Sequence, residues 1–162
     1  MEQTQTATFM GGLDEQVVVF QLGSESYGIG ISLVQEIKTM SPVTSIPQAP
    51  PYVEGVINFR GRVTPVVDMR ARFGLARAEH TKETRIIVVS AGEVPVGLIV
   101  DSVSEVLRVP GDSVESPSEL VATVESDFIR GIAKLGEERL IILLDLERML
   151  RTTSELAARL AA

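Results

Sequence analysis

Asp68, Asp101 and Asp145 each follow a run of apolar, largely β-branched residues. Carboxylates at the ends of strands could serve as the paired acid and base of a glycoside hydrolase, one protonating the leaving oxygen while the other activates water or attacks the sugar. The supporting acid, base and oxyanion groups that such chemistry needs are not evident around them. Asp68 and Asp145 also stand directly before short helix-like segments, where a side-chain oxygen caps the free backbone N–H groups without any catalysis. Gly28-Ile29-Gly30 is a fragment of a dinucleotide fingerprint, but a strand pattern follows it instead of a helix, and the chain has no GxxxxGK[ST] loop. These glycines read as hairpin residues. With no cysteine and a single histidine, His80, there is no thiol nucleophile, and any metal site would have to be built from carboxylates. His80 itself reads as a solvated side chain in a charged connector. The residue best suited to recognition is Arg60, flanked by Asn58 and Gly61, which would project a fork of donors from a hairpin tip.

That tip requires two strands. Residues 53–59 and 62–67 are strand-like on either side of Arg60-Gly61, and Asp68 is expected to cap a short helix that stops at Gly74. Upstream, residues 17–20 and 27–31 form a hairpin pattern around Gly23-Ser24-Glu25-Ser26, matched by residues 85–89 and 94–100 around Ala91-Gly92-Glu93. Both hairpins read as edges of a barrel or sandwich. Residues 33–38 read as a turn or two of helix, with Val34 and Ile37 inward and Glu36 and Lys38 outward. The segment 42–51 must run extended because Pro47, Pro50 and Pro51 disfavour helix at the residues before them. Residues 76–82 read as a polar connector, 109–124 as a loop-rich excursion, and 129–144 as a strand pair around Gly136-Glu137-Glu138. The last segment, 146–160, has the apolar spacing of an amphipathic helix with a break expected near Thr152-Thr153.

The two halves of the chain repeat one another. Gly28 and Glu36 recur as Gly97 and Glu105, a constant offset of 69 positions, and Gly55 and Asp68 are answered by Gly131 and Asp145. An echo of this length means two similar structural units. The 162 residues, 44% of them apolar, suffice for two small, mutually supporting cores. A net charge of −7 and 4% aromatic residues argue against a phosphate-backbone or single-strand binder. The first dozen residues have neither the basic start nor the apolar stretch of a signal peptide, and the longest apolar runs are far below a membrane span.

Taken together, residues 18–37, the stretch Gly55-Val56-Ile57-Asn58-Phe59-Arg60-Gly61 and the run Pro65-Val66-Val67-Asp68-Met69-Arg70 resemble the CheW coupling proteins of bacterial chemotaxis arrays. The likeness continues through residues 96–103 and ends near Leu150. Its most specific part is the pattern NxRGxxxPxxDxR, with Phe59 and Met69 where leucine is commoner, an apolar exchange of small consequence for packing.

The resemblance implies a mostly β fold of two intertwined, SH3-like, five-stranded barrels with short helices and a C-terminal helix. The expected organisation is a disordered leader over 1–14, a CheW-like domain over 15–150 with repeat units at about 17–74 and 85–150, and a helical tail over 151–162. It further implies a non-enzymatic, cytoplasmic adaptor without a cofactor, recruited to membrane-associated receptor arrays. The implied partners are the cytoplasmic tips of chemoreceptors and the regulatory domain of a CheA-type histidine kinase, with self-association in rings. Receptor contacts carried over by motif position fall on Val34, Glu36, Arg60, Ile86 and Val106, around a groove between the barrels; no motif marks the kinase contacts. The alternatives are an adaptor of a non-flagellar chemosensory pathway, a small β-barrel that binds nucleic acid, and a carboxylate hydrolase.

Overall fold

Residues 17–20 and 86–89 are apolar at every position, which suits strands covered on both faces better than strands with one wet face. The computed structural model, which describes residues 14–116 and 128–161, places them on interior strands of two sheets. Nearly all of the expected leader and the later part of the loop-rich excursion lie outside the described residues. In chain order the strands are β1 (Glu15–Leu22), β2 (Glu25–Gly30), β3 (Val34–Thr39), β4 (Val53–Phe59), β5 (Arg62–Asp68), β6 (Arg85–Ala91), β7 (Val94–Val100), β8 (Ser102–Val109), β9 (Val114–Glu115), β10 (Ile129–Leu135) and β11 (Arg139–Leu144). The helices are α1 (Met69–Arg72), α2 (Leu146–Met149) and α3 (Arg151–Ala161).

One sheet has the order β8-β1-β2-β11-β10-β9 and the other β3-β6-β7-β5-β4. Apart from the two-residue β9, equivalent strands of the repeat occupy equivalent places. The central hairpins, however, are exchanged. The first compact unit joins the described residues up to Ile31 to Ser104–Met149, and the second joins Ser32–Val103 to the chain from Leu150 onward. Hairpin β1–β2 therefore completes the sheet built from the second copy, and β6–β7 completes the sheet built from the first. The closing pairs are parallel, Tyr27 opposite Ile142 in one unit and Gly97 opposite Val66 in the other. The two hairpins are thus not edges. Val17, Val19, Ile86 and Val88 are fully buried, and such side chains each stabilise the fold by roughly 1.5–3 kcal/mol.

In the first unit the core gathers Val17, Val19, Val109, Ala133, Ile141 and Leu143. Gly28 and Gly30 lie inside β2 and not in a turn; a Cβ on Gly28 would meet Ile141 and Leu143 methyl groups at 3.1 Å. Tyr27 stacks on Phe20 with ring centroids 5.7 Å apart. Burial, seconded by the charge of Glu25, raises the Tyr27 phenol above its ordinary 10.0. The unfolded chain releases that proton first, so the stabilisation is complete below pH 10 and falls as pH rises toward the folded-state value. Melting curves taken through this alkaline window should fall less steeply for Tyr27→Phe than for the wild type.

In the second unit the core gathers Ile57, Phe59, Val66, Ile86, Val88 and Ile99. Residues 34–39 form an edge strand here, where a short helix was expected; a 3-10 turn over Ile31–Leu33 precedes it. The register of β3 against β6 shifts between Val34 and Glu36. Along the strand side chains alternate, so Ile37 is turned outward and is 39% exposed, while Glu36 and Lys38 share the partly covered face with Val34, the reverse of the expectation for Ile37, Glu36 and Lys38. Asp68 caps α1 as expected, accepting from the Arg70 and Ala71 amides at 3.0 and 3.4 Å, and Gly74 follows with φ of 74°. The stretch read as a connector is tied into this unit: Arg77 reaches Asp68 and Glu54 at 2.9 Å, and Arg70 reaches the Ala76 carbonyl. At the C-terminal end the helical break falls at Leu150, before the expected threonine pair; Thr153 is buried within α3.

Candidate functional site

The three aspartates have structural partners. Asp101 receives Arg70 Nε and Nη2 at 2.9 and 2.7 Å, a bidentate pair that raises the guanidinium pKa chiefly through that hydrogen bond. Asp68 is occupied by its cap and by Arg77, and Asp145 accepts the Arg148 amide at 3.2 Å. In the second unit Asp68, Asp101, Arg70 and His80 line a pocket of about 20 Å³, room for a water molecule rather than a sugar ring. Among the described residues no three His, Cys, Asp or Glu side chains are grouped to hold a metal ion. The carboxylates thus cap, pair and brace.

Arg60 is built differently. Phe59 pairs with Arg62 across β4–β5, leaving a two-residue turn in which Arg60 and Gly61 have φ of 54° and 82°. Two positive φ values give the turn that matches the twist of a hairpin, one that favours Asn-Gly or Gly-Gly. Arginine in the left-handed region costs on the order of 1 kcal/mol. Asn58 holds the turn by accepting the Gly61 amide on Oδ1 at 2.8 Å. The Arg60 guanidinium carbon lies 4.7 Å from the centroid of the Phe59 ring, and Nη2 donates to Glu36 Oε1 at 3.1 Å. Its side chain is 62% exposed, so the ion pair contributes little to stability while the charge faces solvent.

Of the five residues expected to contact a receptor, the structure brings Glu36 and Arg60 into direct contact, and Val34 opens the same edge strand β3. Ile86 is placed otherwise. It is fully buried in the core cluster with Phe59, because β6 is covered on both faces, and its side chain offers no surface for direct contact. Val106 belongs to the first unit, on the edge strand β8, and is 50% exposed.

The second copy has Gly136-Glu137-Glu138 where Arg60-Gly61 stands in the first, and a pair missed in the sequence stands in for the arginine there. Arg139, the first residue of β11, pairs with Glu105, the repeat partner of Glu36. Its signal was available: Arg62 and Arg139 each stand six residues before a capping aspartate. The Phe59 ring beneath Arg60 was also passed over, treated only as an apolar exchange.

Comparison with known proteins gives one consistent result. The CheW-like domain matches residues 16–154. A chemotaxis protein CheW of Klebsiella aerogenes is 36% identical over 136 residues, covering 84% of this chain and 81% of the relative. A chemotaxis protein CheW of Bacillus subtilis is 37% identical over 144 residues, covering 89% and 92%. Among solved structures, the scaffolding protein TtCheW from Thermoanaerobacter tengcongensis superposes with a TM-score of 0.78 at 38% identity, covering 85% of this chain and 93% of that one.

Proposed function

The chain belongs to the CheW-like domain family, as a chemotaxis coupling adaptor and not an enzyme, and from that premise we propose that it bridges the cytoplasmic tips of chemoreceptors to the regulatory domain of a CheA-type histidine kinase. The observation that carries this reading is the pre-ordered cation at the β4–β5 tip, in the intact motif Asn58 to Arg70. A strained turn on an exposed hairpin, with an arginine where glycine or asparagine would fit better, is what a recognition tip requires and a bare connection does not.

The receptor-facing residues in this proposal are Val34, Glu36 and Arg60 of the second unit and Val106 of the first, with Ile86 acting from beneath through the core it shares with Phe59. An apolar helix face suits Val34, and the charged pair beside it selects among its polar neighbours, while Val106 offers an apolar contact on its own unit. In this proposal the protein works in the cytoplasm, is recruited to membrane-bound arrays through its partners and joins further adaptor copies there in rings. No helix among the described residues is long and apolar enough to cross a membrane.

The test is co-sedimentation of purified kinase with receptor-bearing membranes, with and without this protein. The kinase should pellet with the membranes only when the adaptor is added. Kinase left in the supernatant at saturating adaptor, with folded receptor and kinase, would overturn the coupling role.

A further inference from the structure

We infer that Phe59 is a positioning residue for Arg60, a fixed aromatic shelf that holds the guanidinium in its docking orientation before a partner arrives. The inference rests on the proposed receptor-facing role of Arg60 and adds to it the device that sets the arginine's geometry.

Phe59 is only 4% exposed and packs among Ile57, Val66, Ile86, Val88 and Ile99, so its ring cannot wander. Arg60 follows it immediately and, with φ of 54°, turns its side chain back over that ring, the guanidinium carbon 4.7 Å from the centroid. A guanidinium over an aromatic face is attracted by the ring quadrupole. Glu36 fixes the remaining freedom from the side, and Asn58 fixes the turn from below. A long, flexible side chain held at two points on a fixed turn has less rotamer freedom left to lose when it docks, which strengthens binding without any new contact to the partner. Leucine, the residue the family resemblance leads one to expect here, fills a core but has no ring to offer.

The test is a double-mutant cycle on affinity for a purified chemoreceptor cytoplasmic fragment, using Phe59→Leu, Arg60→Gln and the double variant, with folding of each checked by its melting curve. Phe59→Leu should weaken binding about threefold, the size expected of a cation–ring contact at an exposed site. In the Arg60→Gln background it should change nothing further. NMR of the free protein supplies a readout that packing alone would not move: the Arg60 side-chain protons should show an upfield ring-current shift that Phe59→Leu abolishes. Equal weakening by Phe59→Leu in both backgrounds would overturn the inference, as would an unshifted Arg60 in the wild type. If Arg60→Gln itself leaves affinity unchanged, the docking role of Arg60 falls first and the positioning role falls with it, a result distinct from the other two.

Discussion

Gly55→Ala should lower the melting temperature by about 10 °C. The 42–51 segment passes directly over β4, and Thr44 exchanges both backbone hydrogen bonds with Val56, at 2.9 and 2.8 Å. A Cβ on Gly55 would overlap the Thr44 carbonyl oxygen and come within 2.9 Å of a Val43 methyl group. Backbone cannot step aside as a side-chain tip can. Either the paired hydrogen bonds break or β4 shifts in the core, and overpacking of this kind costs on the order of 3 kcal/mol. For a chain of this size that corresponds to roughly 6–12 °C. Gly131, the repeat partner of Gly55, meets the Val114 side chain at 2.6 Å and the Glu115 carbonyl at 3.1 Å, so Gly131→Ala should cost less. Calorimetric melts of both variants beside the wild type settle the matter. A shift under 2 °C for Gly55→Ala would mean that the Thr44 crossing is not held as described.

The same glycines mark where a sequence is informative and where it stops. Their recurrence announced two units, and the alternation of β-branched residues with turn residues located all four hairpins. The Asp68 cap was legible because capping is a local matter of backbone hydrogen bonds. The exchange of central hairpins was not derivable in this way. It depends on β2 lying parallel to β11 and β7 parallel to β5, and no short window carries the register of a parallel pair. Local periodicity misled at β3, where two apolar residues three apart suggest a helix face but stand on opposite faces of an edge strand, Ile37 exposed.

The site divides along the same line. Arg60 and its turn were visible as a motif, and the side chain does stand exposed at a tip. Ile86 was chosen by position in a motif, but position along a strand says nothing about which faces are covered. Its burial follows from long-range packing, the core it shares with Phe59, Val66 and Ile99, which no local pattern shows. The contact between Glu36 and Arg60 joins residues of strands at opposite ends of the sheet order, and only the curvature of the sheet brings them together.

Arg60→Ala should weaken receptor binding about thirty-fold, or ~2 kcal/mol, and leave the fold nearly unchanged. The two halves of that expectation have separate causes. Its pair with Glu36 is exposed on both sides, and such pairs contribute at most about 1 kcal/mol to stability. Docking against an apolar helix face would remove water from the same guanidinium, and a desolvated charge-assisted hydrogen bond is worth several times an exposed one. Arg60→Gly sharpens the distinction. Glycine accepts φ of 54° without penalty, so this variant should melt at or slightly above the wild-type temperature while binding as poorly as the alanine variant. Glu36→Gln should have the smaller effect on affinity, because it leaves the cation and its ring support in place. Titrations at two ionic strengths separate the contributions further, since screening weakens a rim charge far more than a desolvated one. An affinity change under twofold for Arg60→Ala would reject the hot-spot assignment and leave the apolar residues of β3 to carry the contact on this unit.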